Sequence, residues 1–149
     1  MTSGDERNEN LSLDFDKLYN DVASIRLHSA VPEKVQSYFA SIQNLCLYGW
    51  YVYSFYALTE FLTYTCIEMA LREKFKREDP KRAWSFKKLL GKAARLNRLQ
   101  EDQFSYISRI RNDFTHPDIH NIRVPGQAVF AIKFAAELIN RLFEEKSFY

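Results

Sequence analysis

The stretch from Trp50 to Lys76 carries apolar or aromatic residues on nearly every helical face. Tyr53, Tyr56, Ala57, Phe61, Tyr64, Ile67 and Leu71 form one stripe, and Val52, Phe55, Leu58, Leu62, Cys66 and Met69 cover much of the rest. A helix that is apolar on most sides needs neighbours on most sides. The rest of the chain must supply them. Gly and Pro number only four each in 149 residues, too few for the many tight turns of an all-β protein of this size. The expected fold is therefore an all-α helical bundle of about five helices, forming a single domain over 13–149 behind a disordered leader over 1–12.

The surrounding helices are legible from their own periodicity. Leu11, Phe15, Leu18, Val22 and Ile25 recur near every 3.6 residues and predict a short helix within 11–28. Pro32 suits the first turn of a helix running through Val35, Phe39, Ile42 and Leu45. Gly49 then marks a break or a close approach to a neighbour. Ser85 can cap a helix with Phe86, Leu89, Leu90, Ala93 and Leu96 inward and Lys88, Lys92 and Arg95 outward. Phe104, Ile107, Ile110 and Phe114 set the apolar stripe of a helix over 99–116, which Pro117 must end. Pro125 opens the last helix, through Val129, Ile132, Ala136, Ile139 and Phe143.

Charge is unevenly spread along the chain. The formal net charge is +2, yet residues 72–98 carry eleven Lys or Arg against three Asp or Glu. Such a local excess can attract a polyanion while the whole chain stays nearly neutral, although a solvated helical face looks the same. The segment 35–59 has no charged residue, but Gln36, Ser37, Ser41, Gln43, Asn44 and Ser54 make it too polar for a membrane span. Cys46 and Cys66 sit in apolar surroundings without CxxC spacing, which fits two buried free thiols and a reducing, cytoplasmic setting.

The chemistry-bearing motif is Arg111-Asn112-Asp113-Phe114-Thr115-His116, followed by Pro117. Arg is a permanent cation suited to phosphate, and His moves protons near neutral pH. On a helix, Arg111 and His116 stand about 140° apart, so the long Arg side chain must reach around to a shared cleft. Two copies of the chain, each lending its motif near a two-fold axis, would also build such a cleft. Asn112 and His116 are one turn apart, so the amide can fix the imidazole tautomer. The negative end of the helix dipole favours the imidazolium there.

In this setting the motif resembles the R-x4-6-H signature of the HEPN superfamily. The resemblance covers about residues 33–145: a long buried helix, a basic helix, the motif at the end of the penultimate helix, and a closing amphipathic helix. It implies a dimerising helical bundle and, in many members, a metal-independent endoribonuclease of toxin or antiviral-defence systems that needs no cofactor. It assigns Arg111 and His116 as the catalytic pair, with Asn112 as the polar support; Thr115 beside the His, and Glu60 as a third cleft residue, are further supporting candidates read from the chain itself. It also implies a homodimer acting on RNA, beside an antitoxin or nucleotidyltransferase partner. Some toxin members carry a Tyr two residues after the His that such partners modify; here that position is Asp118. Other members are catalytically silent modules that bind RNA, a nucleotide or a protein.

Each candidate residue also has a structural reading. Arg111 can pair with a carboxylate while His116 simply caps its helix. Glu60, inside the buried helix with Tyr56 and Tyr64 one turn away, can be a satisfied core carboxylate. His116, Asp118 and His120 would share a side of an extended segment and could approach a metal, but structural zinc takes four ligands and no Cys lies nearby, so no metal is expected. The tyrosines and phenylalanines of 48–64, at helical spacing, read as core. Lys87, Lys88, Lys92 and Arg95 are the better RNA contacts, through phosphates.

Overall fold

The computed structural model describes residues 4–10, 14–76, 84–115 and 125–145; the side chains of residues 9, 10 and 111–115 are outside that description. Among the described residues there are seven helices and no strand. In chain order they are α1 (Glu6–Asn10), α2 (Phe15–Ala23), α3 (Glu33–Tyr48), α4 (Phe55–Lys74), α5 (Phe86–Arg95), α6 (Glu101–Thr115) and α7 (Pro125–Phe143). The all-α architecture is as the sequence predicts, with two short helices before the five longer ones.

The central helix is the expected one, α4. It is flanked by α3, α5, α6 and α7, with α7 as its most extensive neighbour. The reason lies in α7's small residues: Ala128, Ala131, Ala135 and Ala136 are all buried and let the two backbones come close. Ile132, Leu138, Ile139 and Leu142 of α7 and Cys66, Ile67, Ala70 and Leu71 of α4 belong to one continuous core. The role of α2 is now visible: it rests on α3 and α7 and adds Leu18 and Val22 to that core.

Two expectations need correction. The leader read as disordered over 1–12 includes ordered structure: residues 4–10 are described, Glu6–Asn10 is helical, and Asn8 is fully buried. The sequence hid this because the segment docks through polar groups and carries no apolar periodicity. Second, the central helix starts at Phe55, not Trp50. Trp50, Tyr51 and Val52 bond back to Leu47 and Tyr48 as a turn.

Nor is α4 buried on all its apolar faces. Leu58 is 42% exposed and Phe61 41% exposed, while Thr59, Glu60 and Thr63 face inward at 3% or less. Thr59 and Thr63 are tolerated inside because each hydroxyl donates to an α4 carbonyl, Phe55 O at 2.7 Å and Glu60 O at 2.6 Å. Together with Tyr48, Tyr51 and Val52 at the preceding turn, Leu58 and Phe61 make this an apolar exterior.

Gly49 is a close approach, as the sequence suggests. Its φ is −56°, so the residue is not needed for a left-handed turn. A Cβ there would meet the ring of Tyr56, a side chain with no exposed surface and therefore little room to move. Gly49→Ala should lower stability by about 1–2 kcal/mol through overpacking, read as a lower denaturant midpoint with an unchanged slope.

The end of α5 uses a device the sequence analysis missed. Asn97 has φ +55°, Arg98 N donates to Ala93 O at 2.9 Å, and Asn97 N donates to Ala94 O at 3.0 Å. This is a Schellman stop with Asn in the position that more often holds Gly. It turns the chain toward α6 and directs Arg98 at the end of α7.

Candidate functional site

The candidate motif occupies the last turn of α6 and the residue after it. The helix begins with a partial capping box: Gln103, 6% exposed, accepts the backbone N–H of Gln100 on its Oε1 at 3.0 Å. Ile107 and Ile110 turn inward at 1% and 5% exposure, which orients the helix against α4. The backbone is helical through Thr115, and the stop expected from Pro117 falls outside the described residues. The side chains of Arg111, Asn112 and Thr115 lie outside the described residues, as do His116 and the alternate trio His116, Asp118 and His120. Among the described residues no cluster of His, Cys, Asp and Glu could hold a metal.

Glu60 is placed firmly. It lies in the middle of α4, 3% exposed, between the buried Thr59 and Thr63. A carboxylate so deeply withdrawn from water requires a compensating cation or donor set. Tyr56, one turn before it, is fully buried, and burial raises the pKa of its phenol well above the ordinary range. Tyr64, one turn after, meets the Phe86 ring edge-on at 4.9 Å and so ties α4 to α5.

The basic segment divides into two sets once its contacts are known. Lys87, Lys88 and Arg95 are exposed on α5. Lys92 is half-buried: its ammonium sits 4.5 Å from the Trp84 ring centroid and 4.9 Å from that of Phe75. Arg72 binds the Glu68 carboxylate at 2.6 and 3.0 Å and also donates to Trp84 O at 3.0 Å. Lys74 lies over the Phe143 ring at 5.4 Å, where burial and then the charge of Arg98 push its pKa down. Arg98 donates to the carbonyls of Arg141, Leu142 and Glu144 at 2.7, 3.1 and 3.1 Å. Part of the positive charge therefore holds helices together, and among the described residues of the segment Lys76, Lys87, Lys88 and Arg95 are exposed.

Clefts open on either side of α2. One, of about 420 Å³, lies between α2 and α3 and is lined by Phe39, Arg26 and Gln43 among others. The other, of about 390 Å³, lies between the end of α2 and α7. Their polar walls serve the fold. Gln43 Nε2 bridges Val22 O and Ile25 O at 2.9 and 2.8 Å. Asn140 clamps the α2–α3 connector, donating to Arg26 O at 3.0 Å and accepting from His28 N at 2.7 Å.

Both cysteines are free and fully buried, as expected. Burial raises their thiol pKa values to about 12, so neither is a nucleophile at neutral pH. No described helix is long and apolar enough to cross a membrane. No family model, curated protein or solved structure matches this chain.

Proposed function

We propose that this chain is a metal-independent endoribonuclease of the HEPN type, acting as a homodimer in a toxin or defence system. The observation that carries the reading is the position of the Arg111–His116 motif at the end of α6, the penultimate helix of an all-α bundle. A helix end is where an imidazole and a guanidinium can both leave the helix axis and share a phosphate. In the proposed reaction the substrate 2′-hydroxyl attacks the adjacent phosphorus and the 5′-oxygen leaves. His116 exchanges the proton with one of these oxygens, and Arg111 stabilises the charge on the phosphoryl oxygens. In this reading Asn112 and Thr115 support the imidazole, and Glu60, buried on α4, is the further supporting candidate.

Two further observations support parts of this reading. The apolar exterior around Leu58 and Phe61 is a surface a second copy can cover. The exposed Lys87, Lys88 and Arg95 offer phosphate contacts without base reading. Replacing these three by alanine should weaken RNA binding evenly across sequences and flatten the salt dependence by a slope of about 2, as three lost single-strand phosphate contacts require. A binding titration at several salt concentrations checks this. The same exposed surfaces also favour a second reading, a silent helical module that binds RNA, a nucleotide or a protein such as an antitoxin or nucleotidyltransferase. Cleavage of a mixed RNA pool in EDTA separates the two: the enzyme cuts, the module only binds.

A further inference from the structure

We propose that Gly4–Asn8 is a detachable strap, recognised side chain by side chain by a socket at the α3–α4 turn. The inference stands apart from the ribonuclease reading. The socket consists of the backbone carbonyls of Gly49 and Trp50, the Tyr53 N–H and ring, the Tyr56 hydroxyl and the Trp50 indole. Asn8 fills its deepest position with no exposed surface. Its Nδ2 donates to Trp50 O at 2.8 Å and Gly49 O at 3.4 Å, and its Oδ1 accepts from Tyr56 Oη at 3.2 Å. Every polar atom of the amide is used, which neither Asp nor Leu could reproduce.

The other strap residues are read in turn. Asp5 N donates to Trp50 O at 2.7 Å, and Asp5 Oδ2 accepts the Tyr53 N–H at 3.3 Å. Arg7 grips the same carboxylate at 2.7 and 2.9 Å and lies 4.4 Å over the Tyr53 ring. That guanidinium holds the Asp5 carboxyl well below the usual carboxylate range. Gly4 is required because a Cβ there would strike the Trp50 indole. Glu6 is exposed, and Arg7 is exposed beyond its contacts with Asp5 and Tyr53.

Detachment follows from the chemistry of these contacts. Gly4–Asn8 places no side chain in the apolar core. Its contacts are hydrogen bonds and one cation–ring contact, all of which water can replace when the strap lifts. Lifting uncovers Tyr53, Tyr56 and two backbone carbonyls next to Tyr48, Tyr51 and Val52, which are already exposed. One end of the bundle then becomes an aromatic surface with free hydrogen-bond acceptors, suited to a peptide segment of the strap's own chemistry.

The test uses the full chain with Trp84→Phe, so that Trp50 is the remaining tryptophan. Trypsin release of the 1–7 fragment reports strap opening, Trp50 emission reports the socket, and the far-ultraviolet melting curve reports the body. Asn8→Ala and, separately, Gly4→Ala are expected to speed fragment release about tenfold, with red-shifted Trp50 emission and an unchanged main melting transition. Unchanged release in both variants overturns the strap. So does a loss of the main melting transition in both, because the segment would then be an integral part of the bundle.

Discussion

Alanine at Arg111 or at His116 is expected to lower RNA cleavage at least about a hundredfold while leaving the melting curve intact. The size follows from the roles proposed. Loss of a general acid–base group removes about 10²–10⁴ in rate, and loss of one well-aimed charge on a developing oxyanion about 10²–10³. The motif lies at the end of α6, beyond the buried Ile107 and Ile110 that hold the helix in place, so truncating it should not unfold the bundle. The double variant should be little worse than the weaker single, because both residues serve one transition state. Arg111→Lys should recover only part of the rate, since an ammonium keeps the charge but not the planar fork.

The nature of the nucleophile gives the same experiment a second arm. A reaction in which the substrate's own 2′-hydroxyl attacks leaves DNA of the same sequence intact. It also proceeds in EDTA and ends in a cyclic phosphate on the 5′ fragment. Cleavage of DNA, or cleavage abolished by EDTA, would replace this mechanism with a metal-assisted one. A folded wild type that binds RNA without cutting it would move the function to the silent-module reading.

Much of the fold could be read from the residues because apolar side chains recur at helical spacing. α3 and α5 begin where Pro32 and Ser85 place them, and α6 and α7 run within the stretches their periodicity marks out. What periodicity could not show is how an apolar helix divides its faces. On α4, Leu58 and Phe61 are outside while Thr59, Glu60 and Thr63 are inside, and a hydrophobic pattern predicts the opposite. Docking by polar groups is equally silent in sequence: nothing in Asp5, Arg7 or Asn8 announces the α3–α4 turn 41–48 residues away. For the candidate site, the motif and its helix were legible from spacing and from Pro117. The partition of the basic segment was not, because a cation over a ring, a cation on a carbonyl and a cation in water are the same letter in sequence.

Arg98→Ala is expected to destabilise the bundle by about 2–3 kcal/mol, since it removes charge-assisted hydrogen bonds that are individually worth more than neutral ones. For a domain of this size that is a fall in melting temperature of roughly 5–10 °C. Arg98 leaves the Schellman stop of α5 and reaches three carbonyls at the end of α7, Arg141, Leu142 and Glu144. A helix C-terminus has four carbonyls without intrahelical donors and the negative end of the dipole, so a guanidinium there satisfies both needs. It also ties the chain to α7 three residues before α6 begins. All three bonds come from a single nitrogen, Nη1, so Arg98→Lys, which also gathers its donors on one nitrogen, should recover part of the loss. Lys88→Ala supplies the control. It removes the same unit of charge from the same basic segment, but its side chain is exposed, and a surface change of this kind should move stability by no more than about 0.5 kcal/mol. If thermal denaturation gave equal shifts for Arg98→Ala and Lys88→Ala, the charge of the segment as a whole would matter and the cap on α7 would not. A large shift confined to Arg98 would mean that this cation holds two helix ends together, leaving Lys76, Lys87, Lys88 and Arg95 among the exposed charges available to a polyanion.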